Sequence, residues 1–228
     1  MAVYLFGEGK YDQIFLPEIL KQLHYTYCPL KNNDTKSLLL TDRNYYHDYD
    51  FILFSDNGRS DIYTKIMRRF CVSFFKKETV HPVRIILFLD DDYSSHEELT
   101  NTLSNHIRGF SYLIPKMDVE LKKNENFISL SIPSDITPRI SIQVFYIPHS
   151  LERQIVLGGI PCLHKTNKAS GILDIDPHQG LRELSFSLSC SVEDAIRKSV
   201  HEEWLIENSW YWNMIQVLKG TVEPREQI

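Results

Sequence analysis

The apolar residues of this chain alternate between short uninterrupted runs and longer stretches with apolar positions three or four residues apart. A short uninterrupted run of apolar residues is typical of a strand that is covered on both faces, whereas the wider spacing is typical of a helix packed on one face. The runs predict strands at residues 3–6, 38–40, 51–54 and 84–89, and the wider spacing predicts helices at 12–23, 62–70 and 94–107.

Strands that alternate with helices in this way indicate βαβ units. We therefore predict an α/β fold, a Rossmann-like and mostly parallel sheet flanked by helices, over residues 1–157. The pattern changes after residue 107: a β-hairpin insertion is predicted at about 116–133 around "KKNEN", followed by a strand at 140–147 and a short helix that Ser150 opens and Gly158-Gly159 ends. Residues 158–228 are predicted to form a C-terminal extension that is mixed at first and then helical, with one helix from 192 to 218.

Composition places few limits on function. The chain has 228 residues, a net charge of −5 and a charged fraction of 24%, which is typical of a globular protein and argues against nucleic-acid binding through bulk positive charge. No apolar run approaches the ~20 residues of a membrane span, and the N-terminus lacks the basic region of a signal peptide. The lack of an apolar span predicts that the protein has no membrane partner. The four cysteines are widely spaced and form no Cys-x-x-Cys pair, which predicts reduced thiols and a cytoplasmic protein.

Carboxylates follow two of the predicted strands. Glu8 stands between two glycines after the first strand, and Asp90 and Asp92 follow the apolar run 84–89. Open α/β sheets place ligands at the carboxyl ends of their strands, so these side chains are expected at one edge. Because like charges a few Å apart are unfavourable, such a cluster predicts a divalent cation, and carboxylate oxygens suit Mg²⁺ or Mn²⁺. Asp12, one helical turn after Glu8, would point back towards it.

The segments "LFGEGKYDQIFL" and "IILFLDDDYSSHEEL" resemble the Toprim domain shared by topoisomerases, bacterial primases, OLD-family nucleases and small ribosomal-RNA maturases. In that family one strand ends in Glu-Gly and another in Asp-x-Asp, which Glu8 and the pair Asp90 and Asp92 match. "YIPHSLERQIV" is similar to the downstream segment of OLD-type proteins and would supply Glu152. The chain departs from the pattern at Phe6-Gly7, where an aliphatic residue usually precedes the glutamate, and lacks the glycine that often follows Asp-x-Asp.

The resemblance implies phosphodiester cleavage or phosphoryl transfer on DNA or RNA with Mg²⁺ or Mn²⁺, by a nuclease-type enzyme. Asp90 and Asp92 would hold a metal, and Glu8 would bind a second ion or act as a general acid/base. Asp12 and Glu152 would complete the metal shell. Asp91 is expected to point the other way, because side-chain direction alternates along a strand.

Two other functions fit the same residues. "ILFLDDDYSS" also resembles the first motif of haloacid-dehalogenase-type phosphatases, with Asp90 as nucleophile and Asp92 as acid/base, but this leaves Glu8-Gly9 unexplained. A non-catalytic Toprim-like module could instead bind a nucleic acid or another partner around a structural metal. A solvated acidic loop is the interpretation that involves no function.

Basic residues that would contact a nucleic-acid backbone cluster on and around the predicted helix 62–70, although a solvated helix face explains them equally well. They are Arg59, Lys65, Arg68 and Arg69.

Other candidate residues have simpler structural interpretations. "DIDPHQG", residues 174–180, is read as a turn rather than a metal motif, and His149 as a structural or capping residue rather than a phosphate contact. The aromatic segment around Trp210 and Tyr211 is read as core or as a subunit contact, which leaves a homo-oligomer open, rather than as a base-stacking surface.

Overall fold

The structure is a computed structural model that describes residues 2–30, 49–55, 83–109, 118–122, 127–131, 140–163 and 169–221. The predicted strand at 38–40 and the predicted helix at 62–70 lie outside these ranges. So do the four basic residues proposed for nucleic-acid contact, Arg59, Lys65, Arg68 and Arg69.

The described strands match most of the predicted apolar runs to within one or two residues. They are β1 (Ala2–Gly7), β2 (Tyr27–Leu30), β3 (Phe51–Ser55), β4 (Val83–Asp90), β5 (Asp118–Lys122), β6 (Phe127–Ser131) and β7 (Ile140–Ile147).

Four of the described helices begin at a residue whose side chain accepts a backbone N–H of the first turn, namely Ser95, Ser150, Asp176 and Ser191. The described helices are α1 (Asp12–Gln22), α2 (His96–Arg108), α3 (Leu151–Gly159), α4 (Ala169–Ile172), α5 (Pro177–Ser187), α6 (Val192–His201) and α7 (Ser209–Thr221), with a 3₁₀ turn at Ile160–Cys162 after α3.

The strands form one seven-stranded sheet in the order β2-β3-β1-β4-β7-β6-β5. The pairs β2/β3, β3/β1 and β1/β4 are parallel, whereas β7, β6 and β5 are joined by antiparallel ladders. The α/β class with a mostly parallel sheet is therefore confirmed, and the predicted hairpin is the β5/β6 pair. In β4, residues 85–89 are each at most 1% exposed, as expected of a central strand.

Two elements differ from the sequence predictions. The strand β2 was not predicted, because Pro29 interrupts its apolar pattern. Among the described strands β2 lies at the edge of the sheet, where the ladder tolerates the N–H donor that proline lacks. The single helix predicted at 192–218 is wrong. It consists of α6 and α7, separated by turns over residues 202–208 in which Glu203 has a φ of 58°.

Contacts divide the chain into two compact units. Unit 1 comprises residues 1–10, 25–89 and 94–146 and contains most of the sheet together with α2. Unit 2 comprises residues 11–24, 90–93 and 147–228 and contains α1, the acidic loop and the C-terminal helices. This grouping does not follow chain order, and the proposed boundary between 1–157 and 158–228 stays a prediction.

Unit 2 has its own core, in which α1 packs against α6. The ring of Phe15 in α1 lies 6.5 Å from Trp210 and 6.4 Å from Tyr211, centroid to centroid. Gly158 is required by a close approach: a Cβ atom there would lie 2.5 Å from the backbone oxygen of Trp204. The glycine pair at the end of α3 therefore also lets Trp204, in the turn that follows α6, pack closely against α3.

Candidate acidic site

The two predicted acidic motifs follow neighbouring parallel strands. Within the sheet, β1 pairs with β4 and Gly7 lies opposite Phe88, so the two strands end at the same edge. Glu8 is the half-buried residue after β1, and Asp90 is the last residue of β4. The two strands that precede the acidic motifs are therefore neighbours in the sheet.

The acidic loop, defined as residues 90–93, is held to the segment 147–151 within unit 2. The backbone N–H of Asp91 donates to the oxygen of Ile147 at 2.9 Å, and that of Asp92 donates to the oxygen of His149 at 3.1 Å. The side chain of Asp91 adds to this connection, because its Oδ1 accepts from the backbone N–H groups of Tyr93 at 3.0 Å and His149 at 2.7 Å. Asp91 thus shapes the loop.

Asp90 connects the loop to the first turn of α3. Its Oδ1 accepts from the backbone N–H of Leu151 at 3.0 Å. Ser150 is the N-cap of the same helix, and its hydroxyl accepts from the N–H of Arg153 at 3.2 Å. A carboxylate is favoured at a helix N-terminus, where the first N–H groups lack intrahelical partners. One oxygen of Asp90 therefore has a structural partner already, while Asp92 is exposed.

Three residues of this assembly have backbone conformations that side chains rarely adopt. Asp92, Tyr93 and His149 have φ values of 47°, 66° and 63°. Aspartate tolerates the left-handed region better than most residues, but an aromatic residue there is an outlier. The hydrogen bonds of Asp91 hold two of the three in place.

Glu152 is buried in the first turn of α3, with 8% of its surface exposed. Its Oε1 lies 3.2 Å from Nδ1 of His178, whose ring lies 5.9 Å from that of Tyr11. Sequence reasoning missed His178, because "DIDPHQG" was interpreted as a turn. That interpretation is corrected: Asp176 caps α5, with its Oδ1 accepting from His178 N at 3.0 Å and from Gln179 N at 3.2 Å, and Pro177 is the first helical residue.

Asp12 is the first residue of α1 and is 6% exposed. Unit 2 therefore contains four of the five predicted metal ligands, Asp12, Asp90, Asp92 and Glu152. Their oxygen donors fit Mg²⁺ or Mn²⁺ chemically. Within the described ranges, however, no group of three or more His, Cys, Asp or Glu side chains is spaced so that it could hold a metal ion.

The aromatic segment near the C-terminus belongs mainly to the core of unit 2. Trp210 and Tyr211 are 8% and 5% exposed, and the indole N–H of Trp210 donates to Gln154 at 3.0 Å. Burial, with a smaller contribution from Glu203, raises the pKa of Tyr211 to about 12. Because this phenol stays protonated at neutral pH and is enclosed, it is unsuited as a nucleophile. Trp212, by contrast, is 52% exposed.

The class of protein that the fold defines is α/β with a mostly parallel sheet. No protein-family model, curated protein or solved structure matches the chain. None of the helices in the described ranges combines the length and the apolar character needed to cross a membrane.

Proposed function

We propose that this protein is a Toprim-type, Mg²⁺- or Mn²⁺-dependent enzyme that cleaves or transfers phosphodiesters of DNA or RNA. The observation that carries the proposal is the hydrogen-bonded assembly of the acidic loop with the segment that leads into Glu152. Two acidic motifs that lie far apart in sequence, Asp90–Asp92 and Glu152, are joined through Asp91 to His149 and through Asp90 to Leu151.

The resemblance to the Toprim domain assigns the proposed roles. Asp90 and Asp92, of which Asp92 is exposed, would bind the metal. The resemblance would add Glu152, which contacts His178, and Asp12 to the shell, although these carboxylates do not form a ligand group within the described ranges. A bound divalent ion would stabilise the charge that develops on the phosphate oxygens. Glu8 would hold or move a proton on the attacking or leaving oxygen.

A non-catalytic binding module is the second candidate. It is favoured by the structural use of Asp90, Asp91 and Glu152, each of which has a hydrogen-bonding or ionic partner within the protein. In that case the acidic loop would stabilise the start of α3 and recruit a nucleic acid or another partner without turnover.

A cleavage assay separates the two. Purified protein is incubated with mixed single- and double-stranded DNA and RNA, with Mg²⁺, with Mn²⁺ and with a chelator. The proposal requires cleavage with a metal, none with chelator, and at least ~10²-fold slower cleavage by Asp92→Asn. Asp118→Asn, which removes an exposed carboxylate on β5, is the matched control and should cleave normally.

Binding without cleavage would favour the module. Beryllium fluoride mimics the phosphoryl group of a phosphoryl-aspartate. If wild type binds it and a variant without the Asp90 carboxylate does not, the phosphatase alternative is favoured instead.

A cytoplasmic location is part of the proposal and is supported by the cysteines. In the described part of the chain, Cys162 and Cys190 are thiols. Burial raises the pKa of both, which keeps them protonated and unreactive at neutral pH.

A further inference from the structure

Tyr93 presents an aromatic ring to solvent directly beside the acidic loop carboxylates. It is 78% exposed, although aromatic side chains of this size usually bury most of their surface. Its inner face contacts the ring of His149, with centroids 4.2 Å apart and an interplanar angle of 38°. The ring therefore has a partner on one side and an open face on the other.

The backbone at Tyr93 adopts a conformation that its residue type does not favour. Its φ of 66° lies in the left-handed region, which glycine adopts without cost. The conformation is maintained by Asp91, whose Oδ1 accepts from the N–H of Tyr93 at 3.0 Å and from the N–H of His149 at 2.7 Å. An outlier that the surrounding structure holds in place is typical of functional sites.

We propose that Tyr93, backed by His149, is a stacking platform for an unpaired nucleobase of single-stranded nucleic acid. This inference rests on the proposed function and names its substrate class. Every base has a π face, so stacking on an aromatic ring provides affinity for any sequence. In a chain with a net charge of −5, whose site is itself acidic, an uncharged contact supplies affinity that phosphate attraction alone would not. The base that stacks would flank the phosphate next to Asp92.

The test compares wild type with three variants at position 93, in which the acidic loop should keep the same backbone conformation. Tyr93→Phe retains the ring, whereas Tyr93→Asn and Tyr93→Gly remove it; asparagine and glycine both tolerate the left-handed conformation. Single-stranded DNA and RNA oligonucleotides carry 2-aminopurine at successive positions, and binding is measured with Ca²⁺ in place of Mg²⁺. Duplexes of the same sequence serve as controls, because their bases are not free to stack.

Wild type and Tyr93→Phe should quench 2-aminopurine at one position, and the quenching should be lost in Tyr93→Asn and Tyr93→Gly. The Kd of these two variants for single strands should rise by roughly tenfold or more, while that for duplexes changes little. The DNA and RNA arms show which nucleic acid is preferred. Absence of quenching at every position in wild type, or unchanged single-strand affinity in both ring-deleted variants, would overturn the platform.

The platform and the proposed function can fail separately. Quenching that depends on Tyr93, in a protein that cleaves nothing with any metal, supports the platform and refutes cleavage. Metal-dependent cleavage that is unaffected by Tyr93→Asn, without quenching, refutes the platform and leaves the enzyme proposal standing.

Discussion

Asp90, Asp91 and Asp92 are chemically identical neighbours with different surroundings. Asp91 accepts two backbone N–H groups, Asp90 accepts one from the start of α3, and Asp92 is exposed. The sequence predicted the acidic motif, whereas the expectation that Asp91 points away from Asp90 and Asp92 stays a prediction. The sequence could not predict that Asp90 bonds to Leu151 and Asp91 to His149, since these partners lie 61 and 58 residues further along the chain.

Asp91→Ala should destabilise the protein more than any other change in the acidic loop. It leaves the N–H groups of Tyr93 and His149 without their acceptor, which costs about 1–3 kcal/mol of unfolding free energy. For a chain of this size the melting temperature should fall by about 2–4 °C per kcal/mol, measured by thermal denaturation without metal. Asp92→Asn, which keeps an αL-tolerant residue, is the control. Equal melting temperatures for Asp91→Ala and wild type would show that these bonds add nothing to stability.

Metal binding at the loop is tested by Asp90→Asn and Asp92→Asn. Asparagine keeps an oxygen that can accept from the N–H of Leu151, so Asp90→Asn removes charge with little change in the start of α3. Both variants should bind Mn²⁺ at least ~10-fold more weakly than wild type in calorimetric titration, since each loses an anionic ligand. Asp118→Asn should titrate like wild type. If neither loop variant loses affinity, the metal assignment at Asp90 and Asp92 is wrong.

Local sequence signals predicted where some helices begin but not where every helix ends. Ser150 was predicted to begin a helix, and either Ser94 or Ser95 to cap the helix before residue 107; Ser95 and Ser150 each accept from the backbone N–H three residues later, at 3.2 Å. Asp176-Pro177 carries the same kind of signal, an N-cap followed by proline at the first helical position, but the surrounding acids and glycine obscured it. The break between α6 and α7 has no glycine or proline, so the sequence gave no reason to divide the helix.

Glu18 connects α1 to α6 and makes stability depend on pH. Burial raises the pKa of Glu18, but hydrogen bonds from Lys21 and His201 and their charges outweigh burial, so the pKa lies below its ordinary value of 4.5. Arg197 Nε also lies 3.8 Å from Glu18 Oε1. A carboxyl group whose pKa is lower in the folded than in the unfolded state contributes stability above the unfolded pKa, and this contribution is lost as the pH falls through the folded pKa.

Glu18→Gln should therefore lower the unfolding free energy near neutral pH, and its difference from wild type should shrink as the pH falls below about 4.5. Urea denaturation at a series of pH values measures this difference. Glu183→Gln, at an exposed position on α5, is the matched control and should show little pH-dependent difference. A Glu18→Gln effect that stays constant across the whole series would contradict the ionic role of Glu18.

At the scale of the whole molecule, the C-terminal helices complete a core that begins in α1. Phe15 contacts Trp210 and Tyr211, and Trp210 donates to Gln154 of α3. Periodicity predicted that α1 and α7 each have an apolar face. It could not predict that these faces meet, because hydrophobic patterning identifies which residues are buried but not what buries them.

A fragment of residues 1–157 should consequently fail to fold cooperatively. Removing the rest would expose Phe15, which contacts Trp210 and Tyr211, together with the surface of α1 that packs against α6. Because fully burying one apolar side chain contributes about 1.5–3 kcal/mol, exposing several would remove a large part of the about 5–15 kcal/mol that stabilises an ordinary domain. Circular dichroism during urea denaturation compares the fragment with the full chain. A fragment with a sigmoidal transition at a similar midpoint would support an independent domain ending at 157.

The central claim, metal-dependent phosphodiester cleavage, is tested most directly at Glu8, the carboxylate between two glycines after β1. Glu8→Gln preserves shape and removes the charge and the proton, and Glu120→Gln, at an exposed site on β5, removes one carboxylate elsewhere. With one substrate and matched Mn²⁺ concentration, the cleavage rate of Glu8→Gln should fall by ~10² or more while substrate affinity changes far less. Glu120→Gln should cleave at the wild-type rate. If Glu8→Gln also cleaves at that rate, the carboxylate that follows β1 has no part in catalysis.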